Sequence, residues 1–376
     1  MSIDCQRRAH HGTPYCPADC PAADGGPVFE RVRVAAEGDL PPADPRVLDV
    51  AILDMNHGWP NVGHDAVVGS VQDVACDLAD ILLAAGLRMR AISFEVRRAG
   101  MIPEGDRYVL YLGTGGPGHV DPRRNDGRDP NAQGVAEDPS WEPRLFALFD
   151  DIARREDTAL LGVCHTFGVL CRWLAVADPV ARGPEKGGKS EGVLENVLTD
   201  EGLAHPVLQA MSRRLGGRRL RVLDSRIFDL VPSAGAEGRV AILGTETMGI
   251  AGPAGDAMTM MEIARDAGGT MPRMFAVNHH PEISDRDRLL TMLRAKLDRG
   301  EIDPDWYRER AALLEAHFDD KEHDAALRVT SEFTFKAPLR FHLVRAVRRR
   351  AEALGMDFPL PLHESHVERG ILGTPA

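Results

Sequence analysis

Short, nearly continuous apolar runs alternate along the chain with longer segments whose apolar residues recur every three or four positions. VLDVAILDM, beginning at Val47, is a run of the first kind and suits a strand covered on both faces. After a Gly/Pro/Asn loop, Val67, Val68, Val71, Val74, Ala75, Leu78, Ile81 and Leu82 fall at helical spacing, and Gly86 stands where a helix would stop. RMRAISFEV and RYVLYLG read as two further strands, Trp141 to Ala153 as an amphipathic helix behind Ser140, and TALLGV as a buried strand feeding another helix. Strands alternating with helices predict an α/β fold, a mostly parallel sheet flanked by helices.

The two ends of the chain read differently. Residues 1–45 are rich in Pro, Gly, Ala and charge without a sustained period, which predicts a loosely held N-terminal arm. Residues 46–290 hold the α/β pattern. Within them, 178–240 is weaker: a Gly/Lys-rich stretch, then RLRVLDSRIFDLV and RVAILGTE, read as antiparallel or edge additions, with MFAVNHH closing the region as a strand. Residues 291–376 predict a helical C-terminal extension. Its last helix carries Phe341, Val344, Val347, Ala351 and Leu354 on one face and Arg340, Arg345, Arg348, Arg349 and Arg350 elsewhere, most simply a solvated face. No internal repeat is visible.

With 43% of its 376 residues apolar, the chain has ample material for a core. The formal net charge of −12 repels phosphates and argues against nucleic acid as a partner. No run of about eighteen apolar residues occurs, and the N-terminus lacks the apolar centre of a signal peptide, so a soluble, cytoplasmic protein with no membrane partner is expected. Six cysteines in this length are expected to be thiols, not a disulfide framework. Cys5, His10, His11, Cys16 and Cys20 could bind zinc by residue type, but their spacing fits no common finger, and chance company in a short tail is the simpler reading. No metal site is predicted.

The chemistry concentrates in three places. In LLGVCHTFGVLCRWLA a buried strand ends near Gly162, Cys164 sits at the turn and a helix follows, the sequence form of a nucleophile elbow. The helix N-terminus would favour a thiolate and present free backbone N–H groups. MFAVNHHPEIS puts His280 and Glu282 after a later strand: a base for the thiol, an acid for the leaving group and a carboxylate to orient the ring. LYLGTGGPGHVDP runs a strand into Gly115, Gly116, Pro117 and Gly118, where a bare backbone can approach a reacting carbonyl, so the N–H groups of Gly116 and His165 could form an oxyanion hole.

In this order, the three segments resemble the class I, or triad, glutamine amidotransferase family: its oxyanion loop looks like GGPG at 115–118, its elbow like GVC at 162–164 and its H-P-E ending like residues 280–282. GKSEG followed by AHPVL, and LDSRIFDLVP with Ser225 and with Arg226 in place of a histidine, are weaker matches. The resemblance covers roughly residues 47 to 290. It implies a flavodoxin-like sheet, Cys164, His280 and Glu282 as catalytic residues, and Gly115, Gly116, His165, Ser225 and Arg226 near the oxyanion or substrate. Where the family's elbow reads C-x-G-H-Q, this chain reads Cys164, His165, Thr166, Phe167, Gly168, so the glutamine that helps hold the substrate's amino acid end is missing. An acidic segment from Asp121 to Asp138 follows the oxyanion loop. Its Asp121, Asn125, Asp126 and Asp129 could touch a substrate or cation, although a solvated loop is the simpler expectation.

The expected activity is therefore amide cleavage through a thioester on Cys164, as amidase, glutaminase or acyl transferase. The substrate would be a small-molecule amide, free glutamine is expected to be a poor one, and Arg226 could attract a carboxylate. No organic cofactor is implied. No P-loop is present, so any amination would need a separate synthetase subunit. Two alternatives stand beside it. Cys164 with His165 looks similar to the elbow of peptidase-like and deglycase-like hydrolases of this fold. A non-catalytic domain that binds a metabolite or partner is the other.

Overall fold

The computed structural model describes residues 28–59, 61–129, 132–182, 189–246, 257–318 and 321–356. VLDVAILD forms strand β2 (Val47–Asp54), buried along its whole length. Its side chains divide between two faces as the two-residue period of a strand requires: Leu48, Val50 and Ile52 enter one core, Ala51 and Leu53 the other. Around it lie β1 (Phe29–Val34), β3 (Arg88–Glu95), β4 (Leu110–Gly113), β5 (Ala159–Val163) and β12 (Pro272–Val277), all parallel, in the order β1-β3-β2-β4-β5-β12. Beyond β12 the sheet continues antiparallel through β11 (Ala257–Arg265), β10 (Ala241–Glu246), β7 (Ser190–Leu198) and β8 (Arg219–Arg226). Strands β6 (Ala177–Ala181) and β9 (Phe228–Pro232) pair in a small sheet of their own.

Helices cover both faces of the large sheet. Trp141–Arg154 and His165–Leu174 pack on one through Leu145, Phe149, Phe167 and Leu170. On the other face, helix Val62–Asp77 and the last helix, Ala337–Ala353, share a core in which Val67, Val71 and Val74 meet Phe341, Val344 and Val347. The end of the C-terminal extension is thus a layer of the main fold. Helices Arg286–Asp298, Pro304–His317 and Lys321–Ser331 build a third cluster, where Leu289, Leu293, Leu314 and Leu327 gather with Ala66 and Leu223 of β8. Among the described residues, no helix is long and apolar enough to cross a membrane.

Several expectations change. Phe29–Val34, inside the stretch read as an arm, is an edge strand in parallel register with β3. RLRVLDSRIFDLV is two strands in different sheets, divided at Ile227. The last helix buries Phe341, Val344, Val347 and Ala351 as its spacing predicts, but Leu354 is exposed. Its arginines do not form a purely solvated face: Arg340 pairs with Asp77, and Arg349 and Arg350 donate to the carbonyls of Asp157 and Pro45. The cysteines and histidines of the first 27 residues lie outside the described residues.

Two buried histidines make acid lability predictable. Burial pushes His342, whose Nε2 lies 2.8 Å from the Pro272 carbonyl oxygen, down to about 4. His279 is pushed down to about 3 by burial and the neighbouring charges of His280 and Arg226. Below about pH 6.5 the unfolded chain takes up protons that these folded imidazoles refuse, so stability falls with pH by up to about 1.4 kcal/mol per unit for each histidine. Urea unfolding between pH 7 and pH 4 should be less pH-dependent in His342→Gln than in the wild type. Parallel pH curves would show that this ring does not carry the effect.

Candidate active site

Three neighbouring strands bring the three motifs together. β4, β5 and β12 lie side by side, with Gly113 opposite Gly162 and Val277 opposite Val163. The chain leaving β4 therefore enters the glycine loop beside the elbow, and the chain leaving β12 reaches His280 on its other side. The Cys164 N–H extends the ladder by donating to the Val277 carbonyl at 2.8 Å, and the His280 N–H donates to the Leu223 carbonyl of β8, also at 2.8 Å. The site lies at the carboxyl end of the parallel strands, where an α/β sheet leaves a crevice.

Cys164 itself has φ 49° and ψ −103°, a backbone strained for a residue with a side chain, immediately before helix His165–Leu174. The turn is held by Thr166, whose Oγ1 donates to the Thr114 carbonyl at 2.8 Å and whose methyl fills space left by Gly113 and Gly162. Thr114 in turn accepts the Met55 N–H at its Oγ1. Elbow, glycine loop and the end of β2 are thereby stitched together.

His280 and Cys164 face one another across Gly115. A Cβ at Gly115 would lie 2.9 Å from His280 Cε1, 3.3 Å from Cys164 Cβ and 3.7 Å from its Sγ, so only glycine leaves that space open. His280 Nδ1 meets Glu282 Oε1 at 2.8 Å, both side chains buried. Burial works against a charged ring, but the Glu282 carboxylate and the Cys164 sulfur outweigh it and hold the His280 pKa well above the usual imidazole value. Glu282 sits at the N-terminus of helix Val62–Asp77, where the helix dipole favours a negative charge: a Cβ on Gly63 would approach its Oε1 to 2.8 Å. The C-terminal extension holds this segment from behind, since Ser331 Oγ donates to the Pro281 carbonyl at 2.6 Å.

Gly116 lies so close to β2 that a Cβ would stand 2.1 Å from the Met55 carbonyl oxygen. Arg97 clamps the same loop, donating to the carbonyls of Met55 and Pro117 and, in a two-pronged pair, to Glu137 of the acidic insertion; both side chains are fully buried. The insertion is folded on itself. Asn125 bonds the His119 backbone and Glu137, Asp121 caps Arg123 and faces Arg172, Asp126 caps Arg128 and Asp129, and Asp129 pairs with Arg124. Among the described residues of this region, Val120 and Gln133 turn towards the cleft, and the sequence did not single them out. Val120 also explains Gly168: a Cβ there would lie 2.4 Å from Val120 Cγ1, so this valine, just ahead of the acidic segment, fills the space into which a glutamine would project.

The remaining candidates are reassigned by their surroundings. Ser225 lines the cleft, and its carbonyl oxygen lies 3.9 Å from Cys164 Sγ. Arg226 is also at the cleft but is buried among Asp224, Asp229 and Glu246, so its charge is already met and is not free to grip a substrate carboxylate. His165 is buried, and burial, the Arg97 guanidinium and His119 hold its pKa well below the usual value, which keeps the ring neutral. The Cys164 sulfur helps hold the His280 ring charged, whereas the His165 ring bonds the Gly116 backbone. Asn278, beside Cys164, is a further addition: its buried Nδ2 has no hydrogen-bond partner among the described residues, and it lines the cleft. An asparagine at a strand end carries no signal in the sequence that could have found it.

The cleft holds about 320 Å³, and its far wall comes from Trp59, Ile283 and the helix Pro304–His317. Among the described residues no cluster of three or more potential metal ligands occurs. No protein-family description and no curated protein matches the chain. Solved structures similar to it include a glutamine amidotransferase from Thermotoga maritima, 17% identical with a TM-score of 0.41, covering 80% of this chain and 98% of its own. Another is a glutamine amido transferase from Methylobacillus flagellatus, 10% identical with a TM-score of 0.37, covering 85% of this chain and 98% of its own.

Proposed function

We propose that this chain is a cysteine amidase of glutamine amidotransferase type. Cys164 Sγ, its proton held by His280, attacks the carbonyl carbon of an amide. The oxygen that becomes negative faces the N–H groups of Gly116 and His165, while His280, oriented by Glu282, gives its proton to the nitrogen. The C–N bond breaks, ammonia leaves and a thioester remains. Water then loses a proton to His280 and attacks the thioester, releasing a carboxylic acid and restoring the thiol. Ammonia leaves to solvent or to a separate synthetase subunit.

The observation that carries this reading is the strained turn at Cys164 facing an imidazole that Glu282 and the sulfur keep charged. A neutral, buried His165 suits the Cys164–His165 hydrolase reading less well. Free glutamine is a poor substrate in this reading, because Val120 occupies the space beside Gly168 and Arg226 is already matched by carboxylates. Rapid acid quench during turnover of a primary amide, followed by intact-mass measurement, should find an acyl adduct on Cys164. An unmodified chain at every time point, with Cys164 inert to thiol reagents as well, would sink the proposal.

A further inference from the structure

We infer that the amide accepted by this cleft carries an aromatic or branched apolar acyl group, recognised by a wall that helix Pro304–His317 lends to the site. The inference rests on the thioester reading and names its substrate class. Trp306, Leu313 and Leu314 of that helix face the cleft together with Trp59 and Ile283. The wall is firmly built: Leu314 is buried in the cluster shared with Leu223 of β8, and the Arg310 guanidinium lies 5.7 Å from the centre of the Trp306 ring. Among the described residues Leu40, Trp59 and Leu354 are the large apolar side chains left exposed, and of these only Trp59 lies at the cleft, where an apolar ligand would cover it.

Charge points the same way. Every cation lining the cleft among the described residues already faces a carboxylate: Arg226 has three, while Lys189 and Arg310 share Glu191. The amino acid end of glutamine would have to give up its hydration against tryptophan and leucine, whereas an arylalkyl group gains by the same transfer. An apolar wall discriminates by about tenfold or more for each group it buries.

Binding to the full-length Cys164→Ala protein, followed by tryptophan fluorescence, tests this without requiring turnover. Phenylacetamide should bind at least about tenfold more tightly than glutamine. Trp306→Ala on the same background should erase most of that preference, and Trp306→Phe, which keeps a ring and guards against a folding artefact, should retain it. Glutamine binding as tightly as phenylacetamide, or a preference that survives Trp306→Ala, overturns the inference. If phenylacetamide binds with the expected preference yet wild-type Cys164 is never acylated by any amide, the thioester reading fails while the binding class stands.

Discussion

Cys164→Ala is expected to turn over no amide, and His280→Ala to retain at most about a ten-thousandth of the wild-type kcat/KM, because residues that act as a unit lose nearly everything when one is removed. The reason lies in one short array. The elbow forces Cys164 into the cleft at φ 49°, and His280, fixed by Glu282 at 2.8 Å, is the charged imidazole against that sulfur. Without the ring nothing takes the thiol proton or protonates the departing nitrogen, so alkylation of Cys164 by iodoacetamide at pH 7 should slow in His280→Ala along with turnover. Glu282→Gln keeps the ring in place but removes the charge that holds it protonated, and a fall of about 10³ to 10⁴ in kcat/KM is expected. His165→Gln should cost less than His280→Ala, since the neutral His165 ring bonds the Gly116 backbone and so positions the glycine loop, and takes no proton from the thiol. Equal losses in His165→Gln and His280→Ala, with His280→Ala still reactive to iodoacetamide, would favour the Cys164–His165 reading instead.

How far the sequence could reveal this depends on where each signal resides. β2, β4 and β5 are buried on both faces, so their apolar runs are unambiguous, and the motifs sit at strand ends where turn chemistry is local. β1 was hidden because FERVRV is a half-polar edge strand that follows a Pro- and Gly-rich stretch. AMTMMEIAR of β11 was missed for another reason: methionine and alanine carry little strand preference, and only pairing with β10 and β12 on either side makes the segment a central strand. For Arg226, two of its three partners, Asp224 and Asp229, are close in sequence, but only the fold brings Glu246 from β10 to complete the cage. The apolar wall from helix Pro304–His317 was least legible, because Trp306, Leu313 and Leu314 are scattered among charged residues and their common face becomes a surface only when set against β8 and helix Val62–Asp77.

Gly116→Ala should lower kcat by about 10² to 10³ with a much smaller change in KM, the signature of a lost oxyanion donor. The methyl group would stand 2.1 Å from the Met55 carbonyl oxygen and 3.1 Å from the Arg97 guanidinium, and neither can retreat: Met55 is held at the end of β2 by Thr114, and Arg97 is locked to Glu137, Met55 and Pro117. The glycine loop itself must move, and it carries the N–H that would face the developing oxyanion. A displacement of about 1 Å is enough to lose such a contact, while Cys164, His280 and Glu282, which hang from β5 and β12, keep their places. Iodoacetamide should therefore still alkylate Cys164 in Gly116→Ala at close to the wild-type rate, since displacement of iodide generates no oxyanion. Gly115→Ala should differ, because its methyl would press on His280 Cε1 and Cys164 Cβ directly and slow alkylation and turnover together. If Gly116→Ala hydrolysed amides at the wild-type rate, the oxyanion contact would have to come from another donor, and Asn278, whose Nδ2 is buried at the cleft beside Cys164, would be the first to examine.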